Sequence, residues 1–394
     1  MIDLKNVITI NDFNFAQGGA SKVAIDTANG IAKIGLSSIF ISVVADNEKC
    51  TLDSSVIQYT FGGQEFLHYK NTVKGMVNGL SFKEFGEYVF KVLSLYSPTD
   101  SVVHIHGWTK ASSAIVFKIS KDLGFSTYLT CHDYFTVCPN GALLNYRANN
   151  CCHLKCCSSE CLRTNCDSRN MMFKLYRFVR EKKYYNDIDL KYVRCIFVSG
   201  LQKKLIEDQR VIGISTIIKS PIEELNAETS TIEKEYDFVY IGRDSREKGI
   251  DLFVELASRM RNYRFLIVGD YKREKTDNID VTGWVKEYEV ESYLKKSRVF
   301  VLPSLLPEPL SLVAIKALAL GIPCLISENT GAAEHVNVNN GIIFKQGDLD
   351  DLVNKAPLAL SIQSVRDDRL FVSNEDYIDN IVAFYKGKGA CYEN

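Results

Sequence analysis

No charge of one sign dominates this chain: 47 lysines and arginines stand against 48 aspartates and glutamates, a formal net charge of -1. A global basic field that would gather nucleic acid is therefore lacking, and any bound anion must be held by a local site. Long apolar runs are missing too. The most apolar stretch, residues 310–326, carries Lys316 in its middle and is cut by Gly321-Ile322-Pro323, which suits a buried helix followed by a buried strand rather than a membrane span. The opening MIDLKNVITINDF has an acid at Asp3 and only a short apolar run, so no secretory leader is expected, and the expected compartment is the cytoplasm. There is no internal repeat of short period and no low-complexity tract. Cysteine, at 12 of 394 residues, is too sparse for a disulfide scaffold, yet six of the 12 fall between Cys151 and Cys166.

What is present is an ordinary globular composition, 46% hydrophobic and 24% charged, long enough for two domains at about 100–200 residues each. Short Val/Ile-rich runs at 7–10, 39–44, 102–105, 126–130 and 195–198 alternate with helical periodicity, as parallel strands joined by crossover helices do. Residues 21–34 space Val23, Ala24, Ala28, Ile31 and Ala32 as one helix face, closed by Gly35. A polar, Glu-rich stretch follows at 221–236, and then a second series of strands at 238–241, 265–268, 299–302, 324–327 and 342–344. The pattern predicts two doubly wound α/β domains, 1–219 and 220–373, with the amphipathic segment 376–385 inside a tail, 374–394, that returns to the first domain. Open parallel sheets bind ligands beyond the carboxyl ends of their strands, so one ligand would lie in the cleft between the two domains.

The sharpest motifs are in the second series. Residues 238–243 form a buried strand opening into a polar loop that carries Arg243 and Lys248 to the next helix. A guanidinium fork, an ammonium and backbone N–H groups at a helix start suit a diphosphate. A solvated turn with two surface cations fits the same residues. Leu306-Pro307-Glu308-Pro309-Leu310-Ser311-Leu312 follows another strand, with Pro309 suited to a first helical turn, Glu308 at the helix entrance and the amides of Leu310, Ser311 and Leu312 free. Glu308 could accept hydrogen bonds from sugar hydroxyls, or cap its own helix.

Gly242-Arg243 with Glu247-Lys248-Gly249, Val268-Gly269, Gly283-Trp284, Pro303-Ser304, Glu308-Pro309 and Gly321-Ile322-Pro323 through Gly331 to Glu334 together resemble the donor domain of retaining glycosyltransferases of family 4, which have the two-domain GT-B fold. In the first domain Gly18-Gly19-Ala20-Ser21, His104-Ile105-His106-Gly107-Trp108 and Thr130-Cys131-His132-Asp133 with Cys138-Pro139 resemble the version found in bacterial surface-polysaccharide synthesis: O-antigen, lipopolysaccharide, capsule and exopolysaccharide. The resemblance implies transfer of a hexose-type sugar from a UDP- or GDP-sugar to a glycan or lipid-linked acceptor, with retention and no obligatory metal. It implies that Arg243 and Lys248 neutralise the departing diphosphate, that His132 contacts the donor sugar and that Glu308 holds its hydroxyls. It also places Gly18, Gly19, Gly242, Gly269, Leu310, Ser311, Leu312 and Glu334 around the donor. No carboxylate of the set stands out as a covalent nucleophile, and the family mechanism is front-face attack. Where the family has a second glutamate for the ribose, this chain has Lys316, so an altered donor grip is implied: Lys316 donates to the ribose or adds a third cation. A GT-B protein that binds a nucleotide-sugar without transfer, and a GT-B epimerase, remain open beside the transferase.

The cysteine-rich loop admits two readings, a structural zinc on Cys138, Cys152, Cys161 and Cys166, or free thiols lining an acceptor loop. Asp187-Ile188-Asp189 is taken as surface rather than as a metal-binding pair. Residues 174–194 interleave Lys174, Arg177, Arg180, Lys182, Lys183, Lys191 and Arg194 with aromatics. A basic helix docked peripherally on the inner face of the membrane and a solvated helix with aromatics in the core both fit.

Overall fold

A computed structural model describes residues 2–222 and 233–387, so the middle of the expected inter-domain linker lies outside the described residues. The chain runs through β1 (Asn6–Phe13), α1 (Gly19–Lys33), β2 (Ser37–Val44), β3 (Ile57–Thr60), α2 (Thr72–Leu80), α3 (Lys83–Leu93), β4 (Ser101–Ile105), α4 (Ile115–Asp122) and β5 (Ser126–Thr130). The cysteine-rich excursion holds β6 (Leu144–Asn145), β7 (Asn150–Cys151) and α5 (Ser159–Arg163), and is followed by α6 (Met171–Asp187), β8 (Arg194–Phe197), α7 (Gly200–Glu207) and β9 (Ser215–Ile217). The second series is β10 (Tyr236–Ile241), α8 (Ile250–Arg259), β11 (Phe265–Val268), β12 (Ile279–Val281), α9 (Glu287–Lys295), β13 (Ser297–Leu302), α10 (Leu312–Ala319), β14 (Cys324–Ser327), β15 (Gly341–Phe344) and α11 (Leu349–Leu360), ending in α12 (Asn374–Tyr385).

Two parallel sheets result, in the orders β3-β2-β1-β4-β5-β8-β9 and β12-β11-β10-β13-β14-β15. Both are doubly wound: the order reverses between β1 and β4 in the first and between β10 and β13 in the second, and such switch points open a crevice at the strands' carboxyl ends. The central strands are buried on both faces, as the unbroken apolar runs require: Val7, Ile8 and Ile10 in β1, and Phe238, Val239 and Tyr240 in β10, are at most 1% exposed.

The last helix, α12, packs on the first sheet's layer. Tyr377, Ile378 and Ile381 are buried among residues such as Val7, Val23, Ile31 and Val102, and Tyr377 hydrogen-bonds Thr27 of α1 at 3.1 Å. At about 1.5–3 kcal/mol for each fully buried large apolar side chain, this seat is worth several kcal/mol. No helix among the described residues is long and apolar enough to cross a membrane.

Candidate active site

The carboxyl end of β10 continues into Gly242 and Arg243, and a short turn at 246–248 delivers Lys248 to the start of α8. The turn closes through Gly249, whose φ of +74° is the left-handed region. A Cβ at Gly249 would overlap the Pro303 carbonyl oxygen, so only glycine lets this turn lie against the end of β13. That approach joins the two motifs. Lys248 Nζ donates to Glu308 Oε1 at 2.6 Å, and Ser304 Oγ donates to Glu308 Oε2 at 2.6 Å. Glu308 is 6% exposed. Burial alone would raise its pKa, but Lys248, Ser304 and Arg243 outweigh it and hold the carboxyl below the usual range. Arg243 itself is 71% exposed, with only a 3.9 Å contact to Glu247. Arg273 ties Asp244 and Asp251 at 2.7 and 2.6 Å and braces the loop from behind.

Glu308 does not stand at a helix entrance. α10 begins at Leu312, capped by Ser311, whose Oγ accepts from the Ala314 amide at 3.3 Å. Serine is the stronger N-cap, so the segment before it stays extended and Glu308 is released to meet Lys248. The first-turn amides of Leu312 and Val313 lack partners inside the helix. Gly242 and Gly269 sit at adjacent strand ends, where the Gly242 amide donates to Val268 O at 3.1 Å.

The other wall comes from β1, β4 and β5. Gly18, with φ +149°, is the N-cap of α1, and neither it nor Gly19 has any atom within 4 Å of a built Cβ. The helix start is therefore open, with first-turn amides that can face an anion. Beyond β5, His132 Nε2 lies 3.1 Å from His106 Nδ1. Burial holds His132 neutral by lowering its pKa to about 4, and raises the neighbouring Asp133 to about 6. Asp12, at the end of β1, accepts from the amides of Lys110, Ala111 and Ser112 at 2.8–3.0 Å and pins the loop after β4. α1 and α10 meet across the seam, where Lys22, Asp26, Glu287, Val290, Leu312 and Lys316 line a cavity.

Three expected site groups are placed differently. Lys316 lines this cavity, but its ammonium is 3.9 Å from the buried Glu291, which also pairs with Lys295 at 2.7 Å, so its charge is compensated within the second domain. Glu334 turns to the first domain, where its carboxylate accepts from the Gly200 amide at 3.0 Å and from Leu201, capping α7. A helix start with orphan amides attracts the nearest carboxylate. The four cysteines are not assembled into a zinc site. Among the described residues no group of three or more His, Cys, Asp or Glu could hold a metal. Lys174 Nζ stands 3.3 Å from both Cys161 and Cys166, an ammonium where a second cation would have to fit, while Cys138 donates to Asn140 at 3.1 Å. All cysteines among the described residues are free thiols. Burial of Lys174 and Arg180, and the pairing of Arg177 with Asp167 at 3.1 Å, likewise turn much of the expected basic face of α6 inward. Asp187 and Asp189 pair with Lys183 and Lys121, as a surface role predicts.

Comparison with known proteins bears on the fold and the family of part of the chain. Residues 221–370 match the family model of glycosyl transferases group 1, so the second domain carries a group 1 glycosyltransferase domain. An uncharacterized 42.6 kDa protein in the cps region of Klebsiella pneumoniae is 26% identical over 157 residues, 38% of this chain and 40% of that protein. A putative teichuronic acid biosynthesis glycosyltransferase, TuaC of Bacillus subtilis (strain 168), is 33% identical over 111 residues, 27% of this chain and 28% of that one. The chain thus spans well under half the length of these curated relatives. Several solved structures match over nearly the full length, two of them as follows. One is a glycosyltransferase from Rickettsia africae ESF-5, with a TM-score of 0.66, 15% identity and 98% and 99% of the two chains covered. The other is Anabaena Alr3699/HepE in complex with UDP and glucose, with a TM-score of 0.65, 12% identity and 98% and 100% covered. The fold is GT-B, as the sequence predicts.

Proposed function

Starting from a GT-B chain with a group 1 glycosyltransferase domain, we propose a retaining hexosyltransferase of family 4 that moves a sugar from a UDP- or GDP-sugar to a glycan acceptor in surface-polysaccharide synthesis. The domains are taken as 1–219 for the acceptor and 220–373 for the donor, with the tail 374–394 returning to the first through α12, its residues 388–394 lying outside the described residues. The observation that carries the reading is the cluster of half-buried Lys248 with buried Glu308 and Ser304, beside an exposed Arg243 and opposite the open start of α1. Departure of a nucleoside diphosphate puts further negative charge on an already anionic group, and preorganised cations and helix-start amides meet it without reorganisation. Arg243, Lys248 and the first-turn amides of α1 and α10 supply that field. Glu308, kept ionised by Lys248, accepts from sugar hydroxyls, and neutral His132 completes the sugar's polar contacts. Attack from the face the diphosphate leaves needs no protein nucleophile and retains the anomeric configuration. The acceptor is taken as lipid-linked: Met172, Leu175 and Val179 project from one side of α6, 78%, 43% and 56% exposed, with Lys183 on the same side, a surface suited to peripheral contact with an anionic membrane.

A thermal-shift panel of nucleotide-sugars tests the donor site, because a ligand that binds only the folded protein raises its melting temperature with concentration. A rise with one nucleotide-sugar, followed by its slow hydrolysis to sugar and nucleoside diphosphate with the anomer read by NMR, is expected. A flat response to every nucleotide removes the donor site. Binding without turnover makes the chain a binding module, and interconversion of epimers with the nucleotide retained makes it an epimerase.

A further inference from the structure

The end of α12 reaches the catalytic edge of the first sheet through an unbroken line of side chains. Tyr385 is 3% exposed, and its hydroxyl lies 2.6 Å from His104 Nδ1. The other nitrogen of His104, Nε2, is 2.7 Å from Thr130 Oγ1. His106 Nε2 is 3.3 Å from His104 Nδ1, and His106 Nδ1 is 3.1 Å from His132 Nε2. The rings of His104 and His106 are 4.1 Å apart, and those of His106 and His132 are stacked at 5.3 Å. Burial lowers the pKa of all three imidazoles, to about 3 for His104 and about 4 for His132, so each is neutral at ordinary pH.

A neutral imidazole has one N–H and one lone pair, so fixing a hydrogen at one end of such a line fixes every tautomer along it. Tyr385 sets the end. Among the described residues its hydroxyl has no hydrogen-bond partner but His104 Nδ1, and a buried O–H left without an acceptor costs about 1–3 kcal/mol. The hydroxyl therefore donates, His104 Nδ1 is the bare nitrogen, and His104 Nε2–H donates to Thr130 Oγ1. His106 Nε2 faces that same bare nitrogen and must carry its hydrogen there, since two opposed lone pairs repel. Its Nδ1 is then bare and accepts from His132 Nε2–H. His132 Nδ1 is left as a lone pair with no hydrogen-bond partner among the described residues.

We propose that Tyr385, His104 and His106 are positioning residues that hold His132 in its Nε2–H tautomer and turn a bare Nδ1 toward the cleft as an acceptor for a donor-sugar hydroxyl. A group at that point must give a proton, so a hydroxyl is taken and a carboxylate is repelled. The tautomer follows from this chain's own contacts, and only the identity of the group that Nδ1 receives rests on the transferase reading.

The test is nitrogen NMR on the full chain with 15N-labelled histidine, assigned through single His→Gln variants. The wild-type protein is expected to show His132 protonated at Nε2. Tyr385→Phe, which keeps the ring and removes the hydroxyl, is expected to convert His132 to a tautomer mixture. It should also lower kcat measurably, by less than the loss of the His132 side chain itself, while donor KM is unchanged. Protonation at Nδ1 in the wild type overturns the proposal, as does an unchanged His132 tautomer in a folded Tyr385→Phe protein. Should that variant fail to fold, the wild-type spectrum and His106→Asn decide in the same way. Addition of the nucleotide-sugar chosen by the thermal-shift panel is expected to move the Nδ1 resonance, whereas its parent nucleoside diphosphate is not. An equal response to both overturns the hydroxyl contact. A spectrum as expected in a protein that turns over no nucleotide-sugar keeps the relay and removes the transferase.

Discussion

The two edges that face each other across the cleft share a topology and differ in chemistry. On the second domain's edge, Lys248, Glu308 and Arg243 form a charged cluster, with Arg273 bracing it through Asp244 and Asp251. On the first domain's edge, three imidazoles, buried at His104 and His106 and half-buried at His132, stay neutral, and a glycine turn leaves a helix start open. Opposed charges strengthen where water is excluded, which suits a departing diphosphate. Neutral donors and acceptors suit a sugar, whose hydroxyls carry no charge for an ion to match. In the proposed transferase one parallel-sheet crevice would serve both tasks, and the side chains at the strand ends, not the fold, would divide the work.

Removing the charge at the centre of the second edge should have the largest effect. Glu308→Gln keeps the shape but leaves Lys248 without its countercharge and weakens the grip on the sugar, and is expected to lower kcat about 100-fold or more, the scale of a lost transition-state contact. A loss under fivefold would place the cluster outside the reaction. His132→Ala removes one neutral hydrogen bond and should cost about tenfold in kcat/KM, close to 1.4 kcal/mol. If the two variants lose equally, the division between a charged and a neutral edge fails. Arg243→Ala should mainly raise donor KM, by several-fold, and by less as salt is added, because an exposed guanidinium is screened. A salt-independent defect would mean that Arg243 acts from a drier position than this structure gives it.

The two edges also differ in how far the sequence discloses them. Lys248 lies in the loop after β10 and Ser304 and Glu308 in the loop after β13, each within a short motif of its own that the sequence shows. The imidazole line joins β4, the end of β5 and α12, and its last link spans 281 positions. His104 and His106 do share a face at period two, yet nothing local names Tyr385 as their partner. The ten expected strands are all present because each is an apolar run of a buried parallel sheet. β3 and β9 bound the first sheet and β12 the second, and their burial is partial, so short runs such as Ile57–Thr60 give no continuous apolar signal. Spacing also left the two readings of the cysteines undecided, because it says nothing of Lys174, which reaches Cys161 and Cys166 from a different helix. At Lys316, a departure that is plain in the sequence has a structural partner, Glu291, that the sequence alone does not single out.

The smallest expected effect, on stability, separates the edges by the sign of its pH dependence. Each edge has a carboxyl of shifted pKa at its key position, the half-buried Asp133 on the first and the buried Glu308 on the second. Asp133, next to His132, is raised to about 6 by burial, which the Phe135 amide only partly offsets. Its folded state holds a proton more tightly than the unfolded chain does, so its contribution is complete below about 4 and is lost as pH rises through 6. Glu308 is the reverse. Lys248, Ser304 and Arg243 outweigh its burial and lower its pKa, so its contribution is present above the ordinary glutamate range and is lost as pH falls through the lowered value. Melting temperatures measured from pH 3.5 to 7 should therefore respond oppositely to the two amide substitutions. Asp133→Asn should remove a decline between about pH 4 and 6, and Glu308→Gln should remove a gain that begins at lower pH. Parallel curves for the two variants would show that both carboxyls are solvated alike, and the contrast between a neutral and an ionic wall would then have to rest on the imidazoles alone.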